Sequence, residues 1–252
     1  MSNIRIVLVE PAGELNLGSV ARIMKNMGLT KLVLVNPQCD RHSEDARRMA
    51  VHAVDILENA IVVDSLPVAL TGCQRAIATT VRSRSVPIKL EPAPTVLPWL
   101  LTPNVQSALL FGAEERGLSN DELKYAQRFI SIPSNPDYPS LNLAQAVAIC
   151  SYELYQTWLK LSHSPEEATF ADQPQAIPEL TPNHAPIDVL EGYYQHLESV
   201  LLKIGYLHPH TVPVKMEKFR RLYNKANLQP EEVAMLRGIL RQVRWAIKNQ
   251  SE

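Results

Sequence analysis

The stretch ISIPSNPDYPSLNLAQAVAICSYEL, Ile130–Leu154, contains the strand-to-helix transition on which this chain is organised. A short apolar strand, Phe129–Ile132, stops at Pro133, and an uninterrupted helical pattern runs over Asn142–Leu161. The loop between them is polar and carries prolines at 133, 136 and 139. Each proline fixes its own φ and pushes the residue before it away from helix, so the loop is held in one shape. A binding site needs such rigidity; a spacer does not.

Working outward, the same alternation recurs. Apolar runs at Ile4–Val9, Lys31–Val35, Ile61–Val63, Ala76–Thr80 and Ser107–Phe111 read as further strands. Helical patterns fall at Ser19–Asn26, Glu44–Leu57 and Leu66–Leu70, and Ser119–Glu122 opens another with a capping box. Gly28 sits where a helix ends in the left-handed region. The proline-rich segment 86–103 reads as mostly irregular. Strands alternating with helices predict an α/β domain with a mostly parallel six-stranded sheet over 1–162. A proline-rich linker, 163–186, follows. Then come three helices over 187–252, with Gly205 ending the first and Pro230 starting the last.

Residues 203–252 hold ten Lys/Arg against four Glu, net +6, which leaves −7 for the remainder of a chain whose total is −1. On the last helix Arg237, Arg241, Arg244 and Lys248 run beside an apolar stripe of Val233, Leu236, Leu240, Val243 and Ile247. A basic helical unit on a mildly acidic body fits a polyanionic partner, though a solvated face would look the same. No run approaches the roughly 20 apolar residues of a membrane span, and the N-terminus enters a strand at once, without a signal peptide. Cys39, Cys73 and Cys150 are odd in number and form no CxxC, so the expectation is a reduced, cytoplasmic protein without a metal site. His42 and His52 read as surface helix residues.

Three segments place chemistry-bearing residues where a strand runs into a loop and helix, the usual ligand edge of an open α/β sheet. The first is Asn16-Leu-Gly-Ser-Val-Ala-Arg22, in which Gly18 would allow a tight turn at a helix start and Arg22 could reach a phosphate. The second, Leu110–Ser119, sets Gly112 and Gly117 around Glu114, Glu115 and Arg116, and could hold an adenine or ribose by main-chain contacts. The third is the opening loop, ending in Ser140, Leu141 and Asn142. Taken singly, each also reads as a plain turn or cap, with Asn142 capping the long helix and Arg22 on the surface. No G-x-G-x-x-G follows the first strand, because Gly13 and Gly18 are five apart, and no P-loop, H-E-x-x-H or G-x-S-x-G occurs.

In this order and spacing the segments NLGSVAR (16–22), LLFGAEERGLSNDEL (109–123) and IPSNPDYPSLNLAQAVAI (132–149) resemble the three motifs of the SpoU/TrmH branch of the SPOUT RNA methyltransferases. The resemblance covers about residues 3–160. RIVLVE at the start, the Asn-Pro-Asp-Tyr insertion and TTVRSR at 79–84 resemble members that methylate the ribose 2′-OH of tRNA nucleotide 32. The resemblance implies a SPOUT fold with a C-terminal trefoil knot, a homodimer with the site near the interface, S-adenosyl-L-methionine as cofactor and tRNA as substrate. It assigns cofactor contacts to Thr79, Thr80, Val81, Gly112, Ile132, Pro139, Ser140 and Leu141. It assigns chemistry and positioning to Arg22, Ser140, Asn16, Glu114 and Asn142. Two departures are visible: Pro139 stands where a small polar residue is common, and Glu-Arg follows Glu114 where some members have Arg on both sides. The alternatives are a ribosomal RNA 2′-O-methyltransferase and a catalytically silent RNA-binding member.

Overall fold

All of Ile4–Val9 except Arg5 is buried, and this strand, β1, has a neighbouring strand on each edge. The computed structural model describes residues 1–80, 89–162 and 184–249. β1 pairs in parallel with β2 (Lys31–Val35) and with β6 (Ser107–Phe111). The sheet continues through β3 (Ile61–Val63), β4 (Arg75–Thr79), β5 (Leu90–Glu91) and β7 (Arg128–Ile130), in the order β3-β2-β1-β6-β4-β7-β5. Every pairing is parallel. Such a sheet is covered on both faces, which is why its central strands read as continuous apolar runs rather than alternating ones. The order is compatible with the C-terminal knot that the family resemblance implies.

The register decides where the loops go. Leu8 lies opposite Phe111, Ala78 opposite Leu110, and Thr79 opposite Ile130. The carboxyl ends of β1, β6, β4 and β7 therefore meet at one edge, and the segments after Val9, Phe111, Thr79 and Ile130 converge there.

Seven strands stand where six were expected. The additional one, β5, is two residues long and lies in the proline-rich segment, too short to carry a periodic signal; residues 86–88 of that segment lie outside the described residues. It pairs with β7 and is fastened by a two-pronged ion pair from Arg128 to Glu91, at 3.0 and 2.8 Å. The segment then forms α5 (Ala93–Val96) and a 3₁₀ turn over Leu97–Leu101, each with proline in its first turn, where the missing N–H costs nothing. α1 spans Glu14–Asn26, one turn longer at its start than expected, and Gly28 ends it at φ +66° as anticipated. The helix expected over 44–57 is broken into α2 (Glu44–Ala50), a 3₁₀ turn and α3 (Val54–Glu58). The break falls at Val51, a β-branched residue at φ +55°, with no glycine or proline to announce it. After α4 (Leu66–Ala69) and α6 (Asn120–Leu123), the long helix α7 covers Leu143–Ser162. Its buried residues Leu143, Ala144, Val147, Cys150, Ser151 and Leu154 recur at helical spacing and form one face, against which α1 packs.

Residues 71–74 and 183–252 group as a second compact unit. It comprises α8 (Ile187–Lys203), α9 (Val212–Ala226) and α10 (Pro230–Asn249) around its own core, which includes Tyr193, Tyr194, Leu197, Val200, Met216, Val233 and Leu240. Of the stripe expected on α10, Val233 and Leu240 are buried, and Leu236 and Val243 pack against that core. Glu191 and Arg220 form a two-pronged pair at 2.5 and 2.6 Å between α8 and α9, with the guanidinium over the ring of Tyr194. The linker expected at 163–186 lies outside the described residues up to 183.

Candidate functional site

At the converging edge a pocket of about 280 Å³ opens between three backbone segments. Thr79 and Thr80 form one side, residues 112–118 a second, and Ile132 with Pro139–Leu141 a third. Its floor is apolar: Phe111, Leu118, Ile130 and Leu143 line it. Thr79 is tied to the neighbouring strand through its hydroxyl, which donates to the carbonyl of Leu110 at 3.0 Å, and the amide of Thr80 donates to the carbonyl of Ile130 at 2.9 Å. The loop before α7 holds itself: Ser134 Oγ donates to the carbonyl of Pro139 at 2.8 Å, and the amides of Asp137 and Tyr138 donate to Asn135.

The wall at 112–118 is shaped by a close approach. The chain turns back after Gly112, and the amide of Gly117 donates to the carbonyl of Ala113 at 2.8 Å. A Cβ on Gly112 would fall 2.1 Å from the carbonyl carbon of Gly117 and 2.2 Å from the nitrogen of Leu118, so no side chain fits there. Gly18 has a different reason from the one the sequence suggested. It lies buried inside α1, and a Cβ there would meet the carbonyl oxygen of Ala46 at 2.2 Å. It serves close packing of α2, not a turn at the helix start.

Beside the pocket runs a polar chain that joins all three segments. Asn142 Nδ2 donates to Asn16 Oδ1 at 2.9 Å, and Asn16 Nδ2 donates to Glu114 Oε1 at 3.1 Å. The Glu114 carboxylate also accepts from the amides of Ala12 (3.0 Å) and Gly13 (3.1 Å). Asn142 caps α7 at the same time, its Oδ1 accepting from Ala144 N at 2.9 Å. Asn142 thus makes both the helix cap and the link to Asn16, two roles that local sequence offers as alternatives. Burial of Glu114 opposes its ionisation, but the hydrogen bonds from Asn16 and from the amides around it outweigh burial and hold its pKa below the ordinary carboxylate value.

Of the residues named from sequence, Thr79, Thr80, Gly112, Glu114, Ile132, Pro139, Ser140 and Leu141 line the pocket. Asn16 and Asn142 stand behind it, bonded to Glu114 directly or in series. Arg22 is exposed on α1, outside the pocket lining, and has no hydrogen bond or ion pair among the described residues. Ser140 is exposed, and its hydroxyl is likewise free among them. Val81 lies outside the described residues.

A second clamp carries no role in the sequence reading. Arg116, on the pocket wall, bridges Glu10 at 2.7 Å and Glu122 at 2.8 and 2.9 Å. Glu122 completes the capping box of α6 through Ser119. Glu10 adopts φ +49°, and Asn36, at φ +45°, donates to it at 3.5 Å. The charge run Glu-Glu-Arg between two glycines was the available signal, but its partner Glu10 is 106 residues away. Burial first, then Glu114, Glu14 and Asp40, push the Cys39 thiol up to about 11. Among the described residues no group of three or more His, Cys, Asp or Glu is placed to hold a metal ion, and no helix is long and apolar enough to cross a membrane.

Comparison with known proteins agrees with this architecture. Residues 3–152 match the SpoU rRNA Methylase family, and residues 188–252 match the C-terminal domain of the tRNA methyltransferase TrmJ. The tRNA (cytidine/uridine-2′-O-)-methyltransferase TrmJ of Klebsiella pneumoniae is 42% identical over 245 residues, covering 95% of this chain and 96% of that protein. Its counterpart in Pectobacterium atrosepticum is 43% identical, with 96% and 97% covered. The crystal structure of TrmJ from Z. mobilis ZM4 superposes with a TM-score of 0.79 at 31% identity, covering 95% of this chain and 98% of that one.

Proposed function

This chain belongs to the SpoU rRNA Methylase family, and from that premise we propose that it is an S-adenosylmethionine-dependent methyltransferase acting on the ribose 2′-OH of tRNA, at nucleotide 32. The observation that carries the reading is the polar chain Asn142–Asn16–Glu114 braced against a pocket walled by Thr79–Thr80, 112–118 and 139–141. The pocket suits the cofactor in kind. Its apolar floor would take a flat base, and its exposed backbone edges would take a ribose and an amino-acid tail. At about 280 Å³ it falls just below the roughly 300–1,000 Å³ of ligand clefts, which favours a folded, compact ligand.

Bound S-adenosylmethionine, held among Thr79–Thr80, residues 112–118 and Pro139–Leu141, would supply an electrophilic sulfonium methyl to the ribose 2′-oxygen, with S-adenosylhomocysteine as the leaving group and the hydroxyl proton going to solvent or phosphate. The residues supply alignment, which accounts for much of the rate in such a displacement. Ser140, with a free hydroxyl on the pocket rim, orients the ribose. Glu114, Asn16 and Asn142 fix the three loops to one another. Arg22 anchors phosphate and ribose and lowers the pKa of the hydroxyl. A guanidinium keeps its proton above pH 12, so it is an anchor and not a base. A tRNA substrate fits a cytoplasmic enzyme, and the family resemblance implies a homodimer.

Incubation with methyl-labelled cofactor and tRNA tests the reading: label is expected on ribose 32 and is lost in Arg22→Ala, while calorimetric cofactor affinity stays within about twofold. Well-folded protein that transfers no methyl to any tRNA sinks the proposal. Cofactor binding as the main defect of Arg22→Ala would mean that its role is misassigned.

A further inference from the structure

In the helical unit, α8 and α10 enclose a second cavity, of about 290 Å³, lined by Val189 and His196 from α8 and by Pro230, Val233, Ala234, Arg237 and Arg241 from α10. Val189, Pro230, Val233 and Ala234 share its lining with His196, Arg237 and Arg241, and its charged groups are all basic. Arg237 lies over a bare stretch of α8: a Cβ on Gly192, one turn before His196, would be 3.6 Å from Arg237 Nη1. Arg244 stands one turn beyond Arg241, at a rise of about 1.5 Å per residue.

The charge in this notch is uncompensated. Arg116, Arg128 and Arg220 each hold a carboxylate, whereas Arg237, Arg241 and Arg244 have no ion pair among the described residues. Burial, and after it Arg237, Arg244 and Arg241, lower the pKa of His196. Positive groups gathered round a concavity are relieved by an anion, and arginine's planar fork matches phosphate oxygens.

We propose that the notch between α8 and α10 seats a backbone phosphate of RNA, with Arg237 and Arg241 on its non-bridging oxygens and His196 as a third donor. The apolar side chains of Val189 and Val233, on the same lining, take the adjoining ribose. This rests on tRNA as the substrate, and it deepens that reading by locating one phosphate seat far along the chain from the methyl-transfer pocket. Free inorganic phosphate shares the chemistry and is the rival source.

The test compares the full-length protein with Arg237→Ala/Arg241→Ala in tRNA binding across a salt series. The variant is expected to bind tRNA at least tenfold more weakly at physiological salt. Its log–log salt slope should be shallower by about 1, as follows when one phosphate is no longer neutralised. Cofactor affinity and thermal midpoint should match the parent, which separates a missing phosphate partner from a damaged fold. Equal affinity and slope in parent and variant overturn the notch while leaving methyl transfer standing. Failure of the parent to bind tRNA overturns the functional reading itself and the notch with it. In a parallel arm inorganic phosphate replaces chloride at matched ionic strength. Stabilisation of the parent alone, with tRNA binding equal in both proteins, reassigns the seat to free phosphate and also overturns the proposal.

Discussion

Glu114 is the residue on which the site's polar frame converges, since it accepts from Asn16 and from the amides of Ala12 and Gly13. Its pKa is held below the ordinary carboxylate value of about 4.3. A carboxylate whose native pKa is depressed contributes stability above its unfolded value and loses it as pH falls through the lower native one. Glu114→Gln keeps the shape but removes the charge. Urea unfolding at pH 7 is expected to show a loss of roughly 1–2 kcal/mol, the scale of hydrogen bonds to a charged acceptor. The gap to the parent should close as pH drops below the ordinary carboxylate range. A gap that persists unchanged at acid pH would show that the charge contributes nothing. The residue types around Glu114 could be read from sequence as a motif. That Asn142 both caps a helix and reaches Asn16 could not, because the two are 126 residues apart.

At the scale of elements, α7 starts at the pocket and its first turn depends on Asn142. Removing a side-chain cap costs typically about 1 kcal/mol. Asn142→Ala should lower the thermal midpoint by a few degrees. It should also weaken cofactor affinity, because the Asn16 link breaks with the cap. Asn142→Ser would restore the cap without the link. Cofactor affinity recovering fully in that variant would show that the link to Asn16 is idle. The strands and the long helices were legible because their apolar residues follow periods of about 2 and 3.6, or run continuously where both faces are buried. The elements misread are those whose cause is not local. β5 is two residues extended by pairing with β7, and the break at Val51 puts a valine at positive φ without any breaker residue. Gly18 pointed to a turn by residue type alone, yet it makes room for the backbone of α2.

At the scale of the molecule, two units divide the expected work. The sheet unit carries the pocket, and the helical unit carries the charge that suits a polyanion. Removing residues 187–252 is expected to lower tRNA affinity by more than tenfold and cofactor affinity by far less. Unchanged tRNA affinity over several salt concentrations would reduce the basic stripe to a solvated face. The sequence by itself determined the class of fold, the three segments that line or brace the pocket, and the basic character of the last helices. All three follow from residue type and short-range spacing, which a chain displays before it folds. Only the tertiary structure decided that the ends of β1, β6, β4 and β7 meet, that Arg116 clamps Glu10 to Glu122, and that His196 shares a cavity with Arg237 and Arg241. Those are relations between residues distant in the chain, fixed by strand register and helix packing. The stiff loop at 133–142 is plain in the sequence, but which residues face it is settled by the sheet.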